Sequence, residues 1–259
     1  MRVIAAEFRK LVYQRAMWGL LVAAIAFTAL GTAATPAIID QTSDGLGFGT
    51  LQQVEVVDSV YANAISGYIF AVLIGVLIVA GEFRHGTAVA TFVATPRRGV
   101  VFGAKLFTAG VAGLVLQVIS TGLGFGFAYL ALLFYPNAVD PSGAIFINTS
   151  IAAVVSGGVL GVFGAAVGAL IRSQVIALIS VLVWLFAVEP ILLLLFPEQG
   201  KFFLSGLITA VIAIDIESDQ FNLNTADFTD PLTATLLLLG YGVAFALLSL
   251  VFSLRRDIE

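Results

Sequence analysis

Eleven of the twelve Lys and Arg residues in this 259-residue chain fall in alternate gaps between long apolar runs. Arg2, Arg9, Lys10 and Arg15 precede the first run, and Arg84, Arg97, Arg98 and Lys105 separate the second from the third. Arg172 separates the fourth from the fifth, Arg255 and Arg256 follow the last, and only Lys201 stands in another gap. A charge at the centre of hydrocarbon costs about 2.5 to 3.5 kcal/mol even on the gentlest scale, so these segments belong in water. The bias is the one the positive-inside rule describes, and it predicts six membrane spans with both termini cytoplasmic. Losing or adding one span would scatter the basic residues over both faces.

Composition points the same way. Hydrophobic residues make up 60% of the chain and charged residues 11%, with mean hydropathy +1.07; soluble domains carry about a quarter charged residues. The expected fold is all-α and polytopic, a single transmembrane domain over residues 1–259. Its spans fall at about 17–36, 61–80, 106–134, 145–171, 175–196 and 232–254, each long enough to cross a core of ~30 Å. The net charge of −4 says little once charges are sorted by side. The absence of cysteine excludes disulfides, thiol nucleophiles and thiolate metal sites.

No small-residue cleavage site follows a short apolar core, so the first run reads as a retained span. Before it, Ile4, Phe8, Leu11 and Val12 recur at helical spacing while Glu7, Lys10 and Gln14 share another arc. That predicts an N-terminal amphipathic helix in the inner interface, its basic side chains among lipid headgroups. Asp40, Asp44, Glu55 and Asp58 mark an outer polar loop without Lys or Arg. Spans four and five are joined only by Arg172-Ser173-Gln174, so they must pack as neighbours. Phe202 to Ile216 is apolar but has about half the length of a span, which predicts a short re-entrant or interfacial outer helix. An acidic stretch with Asp215, Glu217, Asp219, Asp227 and Asp230 follows it.

Several enzyme classes drop out. A P-loop needs G-x-x-x-x-G-K-[ST], and the sole Gly-Lys pair, Gly200-Lys201, is followed by Phe202. The single histidine, His85, lies in the basic gap, which leaves no intramembrane Ser/His hydrolase or His-based metal site. No catalytic, cofactor-binding or metal-ligating residue is expected in this chain. The Asn148-Thr149-Ser150 triplet at the edge of a span reads as a chance sequon.

The basic gap from Gly81 to Lys105 is more specific. Gly86 breaks the helix after span two, Thr87 to Ala94 suits a short helix, and Pro96 ends it before Arg97 and Arg98. Glu82-Phe83-Arg84-His85-Gly86-Thr87, with Thr95-Pro96-Arg97-Arg98 and Lys105, resembles the E-[FY]-R-x-G-T…T-P-x-R…K signature of ABC-2 type transporter permease subunits. The likeness extends over the whole chain. It implies that Glu82, Arg84, Gly86, Thr87, Thr95, Pro96 and Arg97, with Arg98 beside them, form a cytoplasmic coupling helix that docks on a separate ATP-binding cassette ATPase.

Arg172 and Gln174, at the other inner turn, are placed to touch the same partner. The resemblance further implies two permease copies, two ATPase copies carrying ATP and Mg, a bacterial plasma membrane and export of a lipophilic or amphipathic compound. It implies no nucleic-acid partner. A basic loop that only sets topology and binds anionic lipid is the simpler reading of the same residues.

Gly157, Gly161, Gly164 and Gly168 offer two small-xxx-small pairs in span four, suited to packing within one bundle or to a dimer interface. Glu189, before Pro190, is the only acidic residue inside an expected span: a gate or substrate contact, or a carboxylate satisfied by water or groups freed at the proline. An ion-coupled secondary transporter would call for several embedded ionisable residues and related halves. A non-transporting membrane scaffold would need no lever between spans two and three.

Overall fold

The computed structural model describes residues 2–42, 49–84, 86, 98–212, 217–218, 223–224 and 229–255. The helix expected over Thr87 to Ala94, together with His85, Thr95, Pro96 and Arg97, lies outside the described residues. So do Asp44, Asp215, Asp219 and Asp227.

The described chain is helical. Its elements are α1 (Arg2–Tyr13), α2 (Arg15–Thr42), α3 (Val54–Ala62), a 3₁₀ turn (Asn63–Gly67), α4 (Tyr68–Arg84), α5 (Arg98–Leu132) and α6 (Gly143–Ile171). Then come α7 (Gln174–Val183), a π turn (Trp184–Val188), α8 (Glu189–Leu195), α9 (Pro197–Gly200), α10 (Leu204–Ile212) and α11 (Pro231–Arg255). Two-residue strands, β1 (Glu217–Ser218) and β2 (Leu223–Asn224), pair antiparallel between α10 and α11.

Six helical stretches are long and apolar enough to cross a membrane: Arg15–Gln41, Val54–Arg84, Gly99–Leu132, Gly143–Ile171, Gln174–Leu195 and Pro231–Ser249. They are compatible with a multi-pass membrane protein. The second stretch is the centre of the bundle, with 78% of its most apolar window buried, against 28%, 17% and 22% for the first, fifth and sixth. Apolar side chains on those three peripheral stretches face outward, as lipid-facing surfaces do. The most extensive helix contacts join α6 to α5 and to α4.

Close approach at α6 depends on glycine. A Cβ on Gly161 would run into the Ala109 carbonyl oxygen of α5, and one on Gly157 would lie 2.6 Å from the Gln117 Cβ. One on Gly164 would collide with the Val72 carbonyl of α4, and one on Gly168 would sit 3.0 Å from the Val76 oxygen. All four glycines are buried against the chain's own helices. Without side chains there, backbones approach closely enough for dispersion to hold them.

Several boundaries differ from expectation. The first span does not stop at Pro36; the proline sits inside α2, where Thr32 and Thr35 return their hydroxyls to Thr28 O and Gly31 O at 2.8 and 2.7 Å. Glu55 and Asp58, expected in a loop, lie in α3, because Asp58 accepts from the Ser142 backbone N–H at 2.8 Å and so ties α3 to the start of α6. Span two is broken by the 3₁₀ turn, and Gln117 Nε2 donates to the Ile65 carbonyl at 2.8 Å. In span five, Pro190 has no N–H to give its preceding turn, and the helix widens into a π turn just before it, with the Glu189 N–H reaching back to Trp184 O.

Candidate functional site

The ends of α4 and α5 that flank the basic segment meet α1 in a ring of four charges. Lys105 Nζ lies 2.8 Å from Glu7 Oε2 and 2.6 Å from Glu82 Oε1. Lys10 Nζ lies 2.8 Å from Glu7 Oε1 and 2.9 Å from the same Glu82 oxygen. The Lys105 side chain is only 4% exposed and that of Glu7 5%, so neither charge is solvated. Buried charges persist only when paired and hydrogen-bonded, and a ring of two cations and two anions meets that condition with zero net charge.

Local sequence builds each corner. Glu7 and Lys10 share one face of α1 at i,i+3 spacing. Glu82 occupies the last turn of α4, and Lys105 the second turn of α5. The α1 polar arc therefore turns inward at Glu7, whose carboxylate joins that of Glu82 in compensating the buried Lys105, while Lys10 stays half-exposed. The sequence pointed to Glu82 and to Lys105 but not to Glu7 or Lys10 as their partners. The one available signal was a Glu on an amphipathic helix otherwise edged with basic residues.

The ring sets a pH window. Burial pushes the Glu7 carboxyl up, but Lys105 and Lys10 outweigh it and hold it below its ordinary value. Burial pulls Lys10 down, and Glu7 and Glu82 carry it above its ordinary value. The Glu7 contribution to stability is thus present above an unfolded carboxyl pKa of about 4.3 and is lost as pH falls through the lowered folded value. The Lys10 contribution is present below about 10.4 and is lost as pH rises through the raised one. Docking of α1 should be flat from about pH 5 to 9 and weaken in acid. Crosslinking yield between cysteines introduced in place of Phe8 and Phe107, whose rings lie 6.5 Å apart, reads this out; a yield that peaks in acid would contradict the pairing.

Helix α4 ends at Arg84, which is exposed, and Gly86 follows with φ +65°. That left-handed conformation is easy only for glycine and turns the chain away from the helix axis. Arg98 is the first residue of α5. The α6–α7 turn comes to the same end: Arg172 adopts φ 57°, its backbone N–H donates to Gly168 O at 3.0 Å, and its guanidinium carbon lies 5.7 Å from the centre of the Phe83 ring. A cation over an aromatic face at this range is attractive. Gln174 opens α7 and is half-buried. Glu82, Arg84, Gly86, Arg172 and Gln174 thus gather at one end of the bundle.

Glu189 lies elsewhere, and of the four glycines only Gly168 approaches that end, its carbonyl accepting from Arg172. Glu189 is 1% exposed, and its Oε1 accepts from the Ser205 backbone N–H at 2.6 Å and from Ser205 Oγ at 2.8 Å. Ser205 is the second residue of α10, so the carboxylate caps that helix's positive end from span five. Glu189 Oε2 is buried with no hydrogen-bond partner among the described residues. No protein-family model matches the chain, and no curated protein matches it.

Proposed function

We propose that the chain is the permease subunit of an ABC-2 type transporter, a membrane-embedded exporter of lipophilic or amphipathic compounds driven by a separate ATPase. The observation that carries this reading is the segment between α4 and α5. Its Glu82-Phe83-Arg84-His85-Gly86-Thr87 and Thr95-Pro96-Arg97 pattern resembles the coupling segment of such subunits, and its two ends are tied by the Glu82 to Lys105 ion pair at 2.6 Å. In this reading the six apolar stretches lie in a bacterial plasma membrane with both termini cytoplasmic. Helix α1 lies at the inner interface, and α10 is the re-entrant outer helix. Two copies of the chain work with two ATPase subunits, which hold ATP and Mg.

The mechanics follow from the ring. A soluble partner that closes on ATP displaces the segment over residues 85–97. Because Glu82, Lys105, Lys10 and Glu7 lock its flanks together, that displacement moves α1, α4 and α5 as one body instead of being absorbed in the loop. Arg172 on Phe83 adds the α6–α7 turn to the same body.

The test is co-purification of a tagged chain with an ATP-binding cassette subunit, sought first in the adjoining reading frame. Charge reversal at Arg84 or Arg97 should reduce recovery of that subunit by about tenfold or more, the scale of losing an interfacial charge contact. Elution of the variants should stay unchanged. Full recovery with both Arg84→Glu and Arg97→Glu would sink the docking role.

A further inference from the structure

A cavity of about 520 Å³ lies between α2, the 3₁₀ turn of span two and α10. That volume is within the ordinary range for small-ligand sites, about 300 to 1,000 Å³. Phe27, Ile69 and Ile208 give it apolar walls, while Ser59, Asn63, Ser66, Tyr68, Ser205 and Thr209 bring polar groups to it.

The direction of those polar groups is the informative part. Each hydroxyl has one proton to donate. Ser59 spends it on Val56 O at 2.7 Å, Thr209 on Ser205 O at 3.0 Å, and Ser205 on Glu189 Oε1 at 2.8 Å. The Asn63 amide donates to Thr35 Oγ1 at 2.9 Å, which leaves its carbonyl oxygen as the other half of the group. Toward a ligand Ser59, Ser205 and Thr209 therefore offer acceptors, and Asn63 an acceptor with one N–H still unspent. Ser66 Oγ is buried and has no hydrogen-bond partner among the described residues.

Charge agrees with that polarity. None of the described residues lining the cavity is basic. Behind Ser205 stands Glu189, whose second oxygen has no hydrogen-bond partner among the described residues. An anionic head would find only uncharged donors here, from Ser66, Tyr68 and the second Asn63 N–H, with the Glu189 carboxylate behind Ser205. An ammonium brings three donors, no acceptor and the complementary charge.

We infer that this cavity binds a protonated amine carried on an apolar body. For any part in transport the inference rests on the exporter reading and narrows its substrate class to cationic amphiphiles. The binding itself requires neither nucleotide nor ATPase, so it is tested on the chain alone.

The experiment uses the full chain in lipid nanodiscs and two fluorescent probes, dansylcadaverine and its N-acetylated form, which share a body and differ in the amine. The amine should bind saturably above empty nanodiscs, and the acetylated form about tenfold or more weakly, the scale of one charged hydrogen bond. Glu189→Gln keeps an oxygen for Ser205 but removes the charge, and should bring the two probes close together. Thr209→Phe fills the cavity and should abolish saturable binding, while Ser66→Ala should weaken the amine several-fold; each variant is checked by its elution profile. The inference fails if the amine shows no saturable binding, if both probes bind alike, or if Thr209→Phe binds the amine as the parent does.

Discussion

Gly164→Ala should cripple assembly of the bundle. The added methyl would collide with the Val72 carbonyl oxygen and lie 2.8 Å from its carbon and 3.1 Å from its Cα. The obstacle is backbone of the central helix, which cannot rotate away as a flexible side chain would. Overpacking costs about 1 to 3 kcal/mol and sometimes more, whereas Gly to Ala in a helix gains at most about 1 kcal/mol. The clash should win.

Gly122→Ala is the matched control, since nothing stands within 4 Å of the Cβ it would carry. Thermal unfolding of detergent-purified protein should show a clear drop for the first substitution and none for the second. Equal stability of the pair would mean that α4 and α6 are not in contact through Gly164.

Lys105→Met should be the most damaging single change among the charged residues. It leaves Glu7 and Glu82 facing each other with only Lys10, whose side chain is 50% exposed, to compensate them. Removing one partner of a buried pair costs about 3 to 5 kcal/mol, mostly for the charge left behind. Lys10→Met should cost far less, about 0 to 1 kcal/mol, because a half-exposed pair is screened.

The triple variant Glu7→Gln, Glu82→Gln, Lys105→Met should recover much of the stability that Lys105→Met loses, since it removes the orphaned charges as well. If Lys105→Met proves as stable as the parent, or the triple variant is no better than the single, the buried ring is wrong. In the exporter reading, the triple variant should fold yet transport poorly, because the ring is what makes α1, α4 and α5 move together.

Much of the helical framework is legible along the chain. The expected start at Ile145 and the observed one at Gly143 differ by a turn fragment, and the fifth and sixth spans agree as closely. Hydropathy over about twenty residues reports spans well because hydrocarbon rejects exposed backbone and charge. It failed where a tertiary contact paid for polarity: Asp58 sits in helix because Ser142 meets it.

The site was half legible. The residues flanking the basic segment were named from their pattern, but Glu7 lies 98 positions from Lys105, and no periodicity links them. Glu189 stood out as a lone carboxylate, yet its use in capping α10 depends on Ser205 folding back against span five.

By itself, the sequence determined that this chain is helical, how many stretches can cross a membrane and where its basic residues cluster, because each of those follows from local hydrophobicity and charge. Tertiary structure alone decided that α6 presses its glycines on α4 and α5, that Lys105 meets Glu7 of α1 as well as Glu82, and that Ser59, Asn63, Ser66, Ser205 and Thr209 line one cavity. Those outcomes depend on which surfaces meet, and dispersion, ion pairing and hydrogen bonding act between atoms that are close in space however far apart they are along the chain.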